Sequence, residues 1–365
     1  MGIRIHRLMG ASDISRGHDW KPKISDQLGK RLLLRTAGES CIIRGITRML
    51  DVIVSQKTKE AEGIYSFELV AVEGSSLPPF SAGSHVDVHL PDGLVRQYSL
   101  CNSPNEEHRY LIAVLLDPAS RGGSSAMHEQ VHAGCRLKIS EPRNLFPLEG
   151  AAAKSVLFAG GIGITPILCM AERLTQADAN FTLHYCSRSE ERTAFVERLR
   201  NSPFNEHVHI HFDDGDAAQK LSTEAVLAGA SPQDHLYVCG PGGFMEFVLN
   251  EARKYGWTES QLHREYFSAN VVAKDDDGSF EVKLASSGTS YFIAADRSVA
   301  EVLIDAGIDI PLSCEQGICG TCMTRIIQGT PDHRDMFMTD TEHAANNQFT
   351  PCCSRSKSPL LVLDI

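Results

Sequence analysis

The sequence has no apolar run close to the roughly 18 residues that a membrane-spanning helix needs. Its N-terminal stretch lacks the apolar segment of a secretory signal, and no internal repeat is present. The eleven cysteines are odd in number and scattered, unlike the paired cysteines of a secreted disulfide framework. These absences predict a cytoplasmic protein with no membrane segment.

Basic residues are fewer than acidic ones: 35 Lys and Arg stand against 46 Asp and Glu, which gives a formal net charge of −11. Residues 1–48 hold ten Lys and Arg against four Asp and Glu, so residues 49–365 carry −17. Such an acidic body repels nucleic acid and attracts a partner with a basic docking patch. We therefore expect a protein partner and no nucleic-acid partner.

A chain of 365 residues suits two to four domains of roughly 100–200 residues each. Residues 1–48 show no sustained period and are predicted to be a disordered extension. Short β-rich runs predict an antiparallel β-barrel over 49–150, and alternating strands and helices predict a parallel α/β domain over 151–268. A polar linker, 269–279, then leads into a third domain over 280–365.

Local patterns in the third domain are specific. Phe280–Leu284 and Ser290–Ile293 are predicted to pair as a hairpin. Ser298 and Glu301 have the spacing of a capping box that begins a helix, and Gly307 is placed to end it.

Four cysteines of the third domain have a characteristic spacing. Three lie in a C-x4-C-x2-C loop and the fourth follows after 29 residues; they are Cys314, Cys319, Cys322 and Cys352. This is the spacing of plant-type [2Fe–2S] proteins, whereas zinc ligands usually come as two C-x2–4-C pairs. We predict an iron–sulfur cluster on these thiolates. Cys353 could compete as the fourth ligand, but the spacing favours Cys352.

Two segments of the barrel are candidates for binding a flavin. Arg96, Tyr98 and Ser99, at the end of a predicted strand, supply a cation, an aromatic ring and a hydroxyl. The turn Gly122-Gly123-Ser124 precedes a predicted helix whose free N–H groups favour a phosphate. Each segment alone is equally compatible with an ordinary strand end or surface turn.

The α/β domain has two glycine-rich turns, each after a predicted strand. The first contains Gly160, Gly161, Gly163 and Thr165, and the second contains Cys239, Gly240 and Pro241. Open α/β sheets bind dinucleotides at the carboxyl ends of their strands. Two such turns in one domain predict a nicotinamide site. A nicotinamide delivers two electrons and a [2Fe–2S] cluster accepts one, so a flavin that can release electrons singly is expected between them.

From Met49 to Ile365 the sequence resembles the phthalate dioxygenase reductase family, within the ferredoxin–NADP reductase superfamily. The segments that carry the resemblance are Val95–Asn102, Arg143–Leu148 and Cys314–Cys322, and within the family they are most similar to reductases of vanillate-demethylating oxygenases. The resemblance implies the order flavin domain, nicotinamide domain and β-grasp ferredoxin domain.

The resemblance also implies residue roles. The flavin would be FMN, with its phosphate on Arg96 and the Gly122-Gly123-Ser124 turn and its ring against Tyr98 and Ser99. Phe267, the last residue of an H-x-E-x-F pattern that begins at His263 and includes Glu265, would cover the other ring face. Thr165 and Cys239 would lie beside the nicotinamide and, with Ser99, are the expected catalytic residues. NADH is the expected donor, although Ser187-Arg188-Ser189 could accept a 2′-phosphate.

The leading hypothesis is an NADH-dependent reductase that passes electrons through FMN and [2Fe–2S] to the Rieske centre of a separate oxygenase, which demethylates an aromatic ether such as vanillate. A second hypothesis keeps the reductase but assigns it an oxygenase for phthalate, a phenoxybenzoate or a quaternary amine. A third is a redox sensor that keeps the cluster without oxidising NADH.

Overall fold

The computed structural model describes residues 49–365, apart from positions 73, 75, 92, 119 and 268–276. The predicted extension 1–48 and most of the predicted linker lie outside these residues. The strands fall into three main sheets, and those of each sheet lie within one of the three predicted domain ranges. The exact domain boundaries stay a prediction.

The first sheet is antiparallel and runs in the order β4-β3-β6-β1-β2-β5, with β7 paired to β3. Its two outer strands meet through a bridge between Leu100 and Ile112, so that the sheet curls into a barrel. One short helix follows β5. The elements are β1 Met49–Ala61, β2 Ile64–Ala71, β3 Ser84–His89, β4 Val95–Ser99, β5 Tyr110–Leu115, α1 Gly123–Glu129, β6 Arg136–Ser140 and β7 Arg143–Asn144.

The barrel forms because its strands alternate apolar and polar residues. Val52 and Val54 on β1 and Phe67 and Leu69 on β2 are fully buried in one core. Residues two apart on a strand share a face, so each alternating run places its apolar face inward.

The second sheet is wholly parallel, in the order β10-β9-β8-β11-β12. Its central strands are almost continuously apolar, as expected for strands covered on both faces. The elements are β8 Lys154–Gly160, α2 Ile164–Gln176, β9 Phe181–Ser187, α3 Val196–Arg200, β10 Val208–Phe212, α4 Thr223–Leu227, β11 Asp234–Cys239, α5 Gly242–Lys254 and β12 Leu262–Glu265.

The third sheet is mixed, in the order β14-β13-β19-β15-β17, with β13 and β19 parallel. The predicted hairpin is confirmed as β13 and β14. The capping box is also confirmed, because the Glu301 N–H donates to Ser298 Oγ and the Ser298 N–H donates to Glu301 Oε2. The elements are β13 Phe280–Leu284, β14 Ser290–Ile293, α6 Val299–Asp305, β15 Thr324–Gln328, β16 Pro331–Asp332, α7 Asp340–Ala345, β17 Gln348–Phe349, β18 Arg355–Ser356 and β19 Leu360–Leu363.

The fold class expected from the sequence is confirmed: an antiparallel barrel, a parallel α/β sheet and a C-terminal ferredoxin-type domain. Within the described part of the chain, no helix combines the length and apolarity needed to cross a bilayer.

Candidate functional site

A cavity of about 1260 Å³ lies where residues of all three predicted domains converge. Its volume exceeds that of a pocket for one small ligand, typically about 300–1,000 Å³, and suits more than one cofactor. Twelve predicted site residues line it: Arg96, Tyr98, Ser99, Gly123, Ser124, Gly160, Gly161, Thr165, Gly240, Pro241, Phe267 and Cys314. The tertiary structure thus brings the flavin, nicotinamide and cluster motifs to one continuous space.

The flavin-domain residues come from β4, an outer strand of the barrel, and from the first turn of α1. Arg96 is held by its own neighbours, since its Nη1 donates to the Val95 carbonyl at 2.8 Å and its Nη2 donates to the Arg121 carbonyl at 3.2 Å. A Cβ on Gly123 would lie 2.6 Å from Arg96 Cγ, so the turn and the arginine stem are in close contact. This arrangement places a guanidinium beside the first turn of α1, which fits a phosphate.

Tyr98 follows on the same strand, and burial raises the pKa of its hydroxyl well above the ordinary value, so the ring stays neutral. It can therefore offer a flat, uncharged face to a flavin ring. Gly122 is the N-cap residue of α1 and does not line the cavity. Its part in the turn is therefore to shape the backbone, not to contact a ligand. The roles of these residues toward FMN stay predictions.

Glu265 is a cavity residue that the sequence pattern contained but to which no role was assigned. It ends β12 directly beside Cys239 at the end of β11, and Ser99 Oγ donates to its Oε2 at 3.2 Å. Burial raises the pKa of Glu265 to about 8, so the carboxyl is mostly protonated at neutral pH. The sequence could have indicated Glu265 as a site residue, because it is an acidic residue at the carboxyl end of a parallel strand, where such sheets bind ligands.

The two glycine-rich turns leave adjacent parallel strands, β8 and β11, and pack against each other. A Cβ on Gly163 would lie 2.2 Å from the Cys239 carbonyl oxygen, and a Cβ on Gly240 would lie 2.9 Å from Gly160 Cα. Thr165 donates its hydroxyl to the Ile162 carbonyl at 3.1 Å and borders the cavity. The backbones of both turns are thus close enough together to receive one dinucleotide.

Cys239 and Gly163 lie behind the cavity surface and do not line it. The Cys239 side chain is 1% exposed, and burial raises the pKa of its thiol well above the ordinary value. The neutral thiol is suited to packing beside a bound ring and unsuited to nucleophilic chemistry. Its expected catalytic role stays a prediction. In the structure Cys239 contacts the other glycine-rich turn through its backbone carbonyl.

The side chains of the four predicted cluster ligands lie close to one another. The Cys314 sulfur interacts with Cys319 and Cys352, and Cys352 also interacts with Cys322. Donation from the Cys319 and Cys352 thiols lowers the pKa of Cys314, and the pKa values of these two partners are raised in turn. Four soft thiolate donors at one point fit a [2Fe–2S] cluster.

Backbone donors already point at these sulfurs. The Gln316 N–H donates to Cys314 Sγ at 3.4 Å and the Thr321 N–H donates to Cys319 Sγ at 3.5 Å. Cys353, the alternative fourth ligand, has partners of its own, with its Sγ 3.2 Å from Thr350 Oγ1. Cys352 interacts with Cys314 and Cys322, and its assignment as the fourth ligand stays a prediction.

Comparison with known proteins gives two domain matches. A "2Fe-2S iron-sulfur cluster binding domain" matches residues 282–357, and an "Oxidoreductase NAD-binding domain" matches residues 157–250. The first match contains all four cysteines and the second contains both glycine-rich turns.

Whole-chain relatives extend the likeness. Vanillate O-demethylase oxidoreductases of Pseudomonas sp. (strain HR199 / DSM 7063) and Pseudomonas putida are 57% and 59% identical, over 87% of this chain and 100% of theirs. A solved structure titled as phthalate dioxygenase reductase, with electron transfer from pyridine nucleotides to [2Fe–2S], is 41% identical with a TM-score of 0.71, covering 87% of this chain and 98% of that one. Together these findings confirm an oxidoreductase with FMN, a [2Fe–2S] cluster and NADH as its cofactors.

Proposed function

This chain belongs to the phthalate dioxygenase reductase family, and we propose that it is the reductase of a two-component oxygenase that demethylates vanillate. The observation that carries the proposal is the graded identity of its relatives. Vanillate O-demethylase oxidoreductases are 57% and 59% identical over their whole length, whereas phthalate reductases of Burkholderia cepacia and Pseudomonas putida are both 41% identical.

Bound FMN would supply the chemistry that accepts an electron pair from NADH and passes the electrons on singly, as a [2Fe–2S] cluster requires. In this chain Arg96 and the turn at Gly123 and Ser124 would hold the FMN phosphate. Tyr98 would lie against the ring, and Phe267, which borders the same cavity, would cover the other face.

The nicotinamide half would lie on the backbone of the two glycine-rich turns. Thr165, at the first turn of α2, would orient the carboxamide of the nicotinamide ring. Ser99 and the protonated Glu265 would exclude water and charge from the space beside that ring. A neutral carboxyl there avoids repelling the negative charge that arrives with a hydride.

Residues at the carboxyl ends of β9 and β10 support NADH as the donor. Asp213 lines the cavity next to Ser187, and its N–H donates to the Ser187 carbonyl at 3.0 Å. A carboxylate at this place can accept a hydrogen bond from a ribose 2′-hydroxyl and repels a 2′-phosphate. Arg188 also lines the cavity and is exposed.

The proposed acceptor of the electrons is the Rieske centre of a separate oxygenase, and vanillate itself would never contact this chain. The acidic balance of residues 49–365 favours an acceptor with a basic docking patch. We place the system in the cytoplasm, where NADH is present and thiols stay reduced. The cysteines of the described residues form no disulfide with one another.

The test is reconstitution from purified parts. The reductase, NADH and a vanillate oxygenase component are mixed, and NADH oxidation and formaldehyde release are measured; a phthalate oxygenase component replaces the first in a parallel reaction. We expect vanillate-dependent NADH oxidation, matched by formaldehyde release, at a rate at least tenfold above the phthalate-dependent NADH oxidation of the parallel reaction. The Cys319→Ser variant is the matched control, since it should reduce its flavin with NADH and release no formaldehyde.

Two results would contradict the proposal. Faster coupling to the phthalate component would assign the chain to another oxygenase of the same class. A flavin that NADH does not bleach under anaerobic conditions would favour a redox sensor.

A further inference from the structure

The strand beside the proposed flavin site carries a buried carboxylate. Asp87 lies on β3, opposite Gln97 of β4, and is 8% exposed. Its Oδ1 accepts hydrogen bonds from Gln97 Nε2 at 3.0 Å and from Arg143 Nη2 at 2.7 Å, and Arg143 Nη2 also reaches Oδ2 at 2.6 Å. The guanidinium compensates the buried charge and fixes the orientation of the carboxylate.

A third donor to this carboxylate comes from another domain. Ser313 Oγ donates to Asp87 Oδ1 at 2.9 Å, and Ser313 is 2% exposed. Ser313 immediately precedes Cys314, a proposed cluster ligand. A short, buried hydrogen bond therefore connects the barrel strand next to the flavin residues with the first residue of the cluster loop.

This contact differs from the other polar contacts of the cluster loop. Arg96 pairs with Glu315 at 3.2 Å, and Arg121 Nη2 donates to the Cys314 carbonyl at 3.3 Å. Both arginines line the cavity, where a bound phosphate competes for them. Asp87 and Ser313 do not line the cavity, so a group bound there does not compete directly for their hydrogen bond.

We propose that Asp87 and Ser313 form an interdomain latch that positions the cluster loop against the flavin domain, with Ser313 as a positioning residue for electron transfer between the two. The latch itself undergoes no chemistry. It acts on distance, because electron transfer between cofactors weakens steeply as they separate. Ser313 is joined to the ligand Cys314 by a single planar peptide unit, so holding the serine limits the position of that ligand. The inference rests on the reductase function proposed above, but not on which oxygenase accepts the electrons.

Anaerobic stopped-flow mixing of the holoenzyme with NADH tests the latch, because flavin bleaching and cluster reduction have separate absorbance changes. A hydrogen bond to a charged, buried partner typically shifts an equilibrium by about tenfold or more. In Ser313→Ala we expect the flavin to bleach at the wild-type rate and the cluster to be reduced about tenfold more slowly. Ser313→Thr keeps the hydroxyl and should recover most of the rate.

A second readout needs no turnover. Hydrogen–deuterium exchange of the oxidised holoenzyme should show faster exchange in Ser313→Ala at residues 312–318 and 84–89, the two sides of the latch. Ser140→Ala is the matched control, because Ser140 is 1% exposed and its Oγ accepts the Asp87 N–H at 2.9 Å within the barrel. It should alter neither cluster reduction nor exchange at 312–318.

Asp87→Ala keeps the test decisive if Ser313→Ala assembles its cluster poorly, because this substitution lies in the other domain. It should slow cluster reduction at full cluster content, and the double variant should be no slower than Asp87→Ala alone. Cluster reduction at the wild-type rate in Asp87→Ala, or equal slowing of flavin bleaching and cluster reduction, would overturn the latch. A wild-type flavin that NADH fails to bleach would instead refute the reductase function.

Discussion

Substitution of Gly163 by alanine tests whether close packing of the two glycine-rich turns forms the nucleotide site. Gly163 has φ −61° and ψ −5°, which alanine adopts without strain, so only the added methyl group matters. That methyl would lie 2.2 Å from the Cys239 carbonyl oxygen, 2.4 Å from its carbon and 2.6 Å from the Gly240 nitrogen. All three are backbone atoms, so no rotamer change can relieve the overlap.

The cost follows from the displacement required. Bringing the methyl group to an ordinary contact means moving one turn by more than about 1 Å, and overpacking of this kind costs about 1–3 kcal/mol or more. The upper value of this free-energy cost is expected here, because β11 is hydrogen-bonded on both sides, to β8 and β12, and cannot move easily. A loss of about 3 kcal/mol in a domain of this size lowers the melting temperature by about 10 °C. Separation of the turns should also weaken NAD⁺ binding at least tenfold.

The assay combines thermal unfolding with titration of NAD⁺, which binds without turnover. Gly243→Ala is the control, since Gly243 lies in α5 with nothing within 4 Å of the added Cβ. In a helix alanine is favoured over glycine, so this variant should be as stable as the wild type or slightly more so. Both variants should retain FMN. If Gly163→Ala melts within a degree of the wild type and binds NAD⁺ equally well, the turns do not act as a packed unit.

Three further predictions concern the other parts of the site. Gly123→Ala should leave the fold intact, because the flexible stem of Arg96 can move. It should weaken FMN binding about tenfold, measured by flavin fluorescence on dilution, and an unchanged affinity would mean that Arg96 does not bind the FMN phosphate. Cys319→Ser should lose the cluster absorbance while NADH still bleaches the flavin, and retention of cluster bands would contradict its role as a ligand. The pKa of Glu265 is raised to about 8 from an ordinary 4.5, so its contribution to stability is complete below pH 4.5 and is lost as the pH rises to 8. Glu265→Gln cannot ionise and should remove that slope from the melting temperature of the cofactor-free protein; an unchanged slope would place the titration elsewhere.

Part of this protein is determined by local sequence. The [2Fe–2S] domain could be predicted because three of the four candidate cysteines lie in one loop, so their spacing along the chain limits their spacing in the molecule. The hairpin of β13 and β14 and the capping box at Ser298 and Glu301 are equally local. Each depends on residues only a few positions apart, and each is confirmed.

The glycine-rich turns were also visible in the sequence, but the part that each residue plays in them was not. The pattern grouped Gly160, Gly161 and Gly163 together. In the structure the first two border the cavity, whereas Gly163 lies against the end of β11, because its lack of a side chain lets the turn pack there. Cys239 likewise ends the expected strand with its side chain buried behind the cavity surface.

Only the tertiary structure decided which distant residues meet. Ser99 and Glu265 are 166 positions apart, and Asp87 and Ser313 are 226 apart. Neither pair leaves a mark in the local sequence, because a single polar residue on a strand has the same pattern whether it faces solvent or another domain. Short-range spacing thus determined the chemistry of the parts, while the packing of three domains around one cavity determined how far apart the parts are and which buried carboxyl groups lie between them.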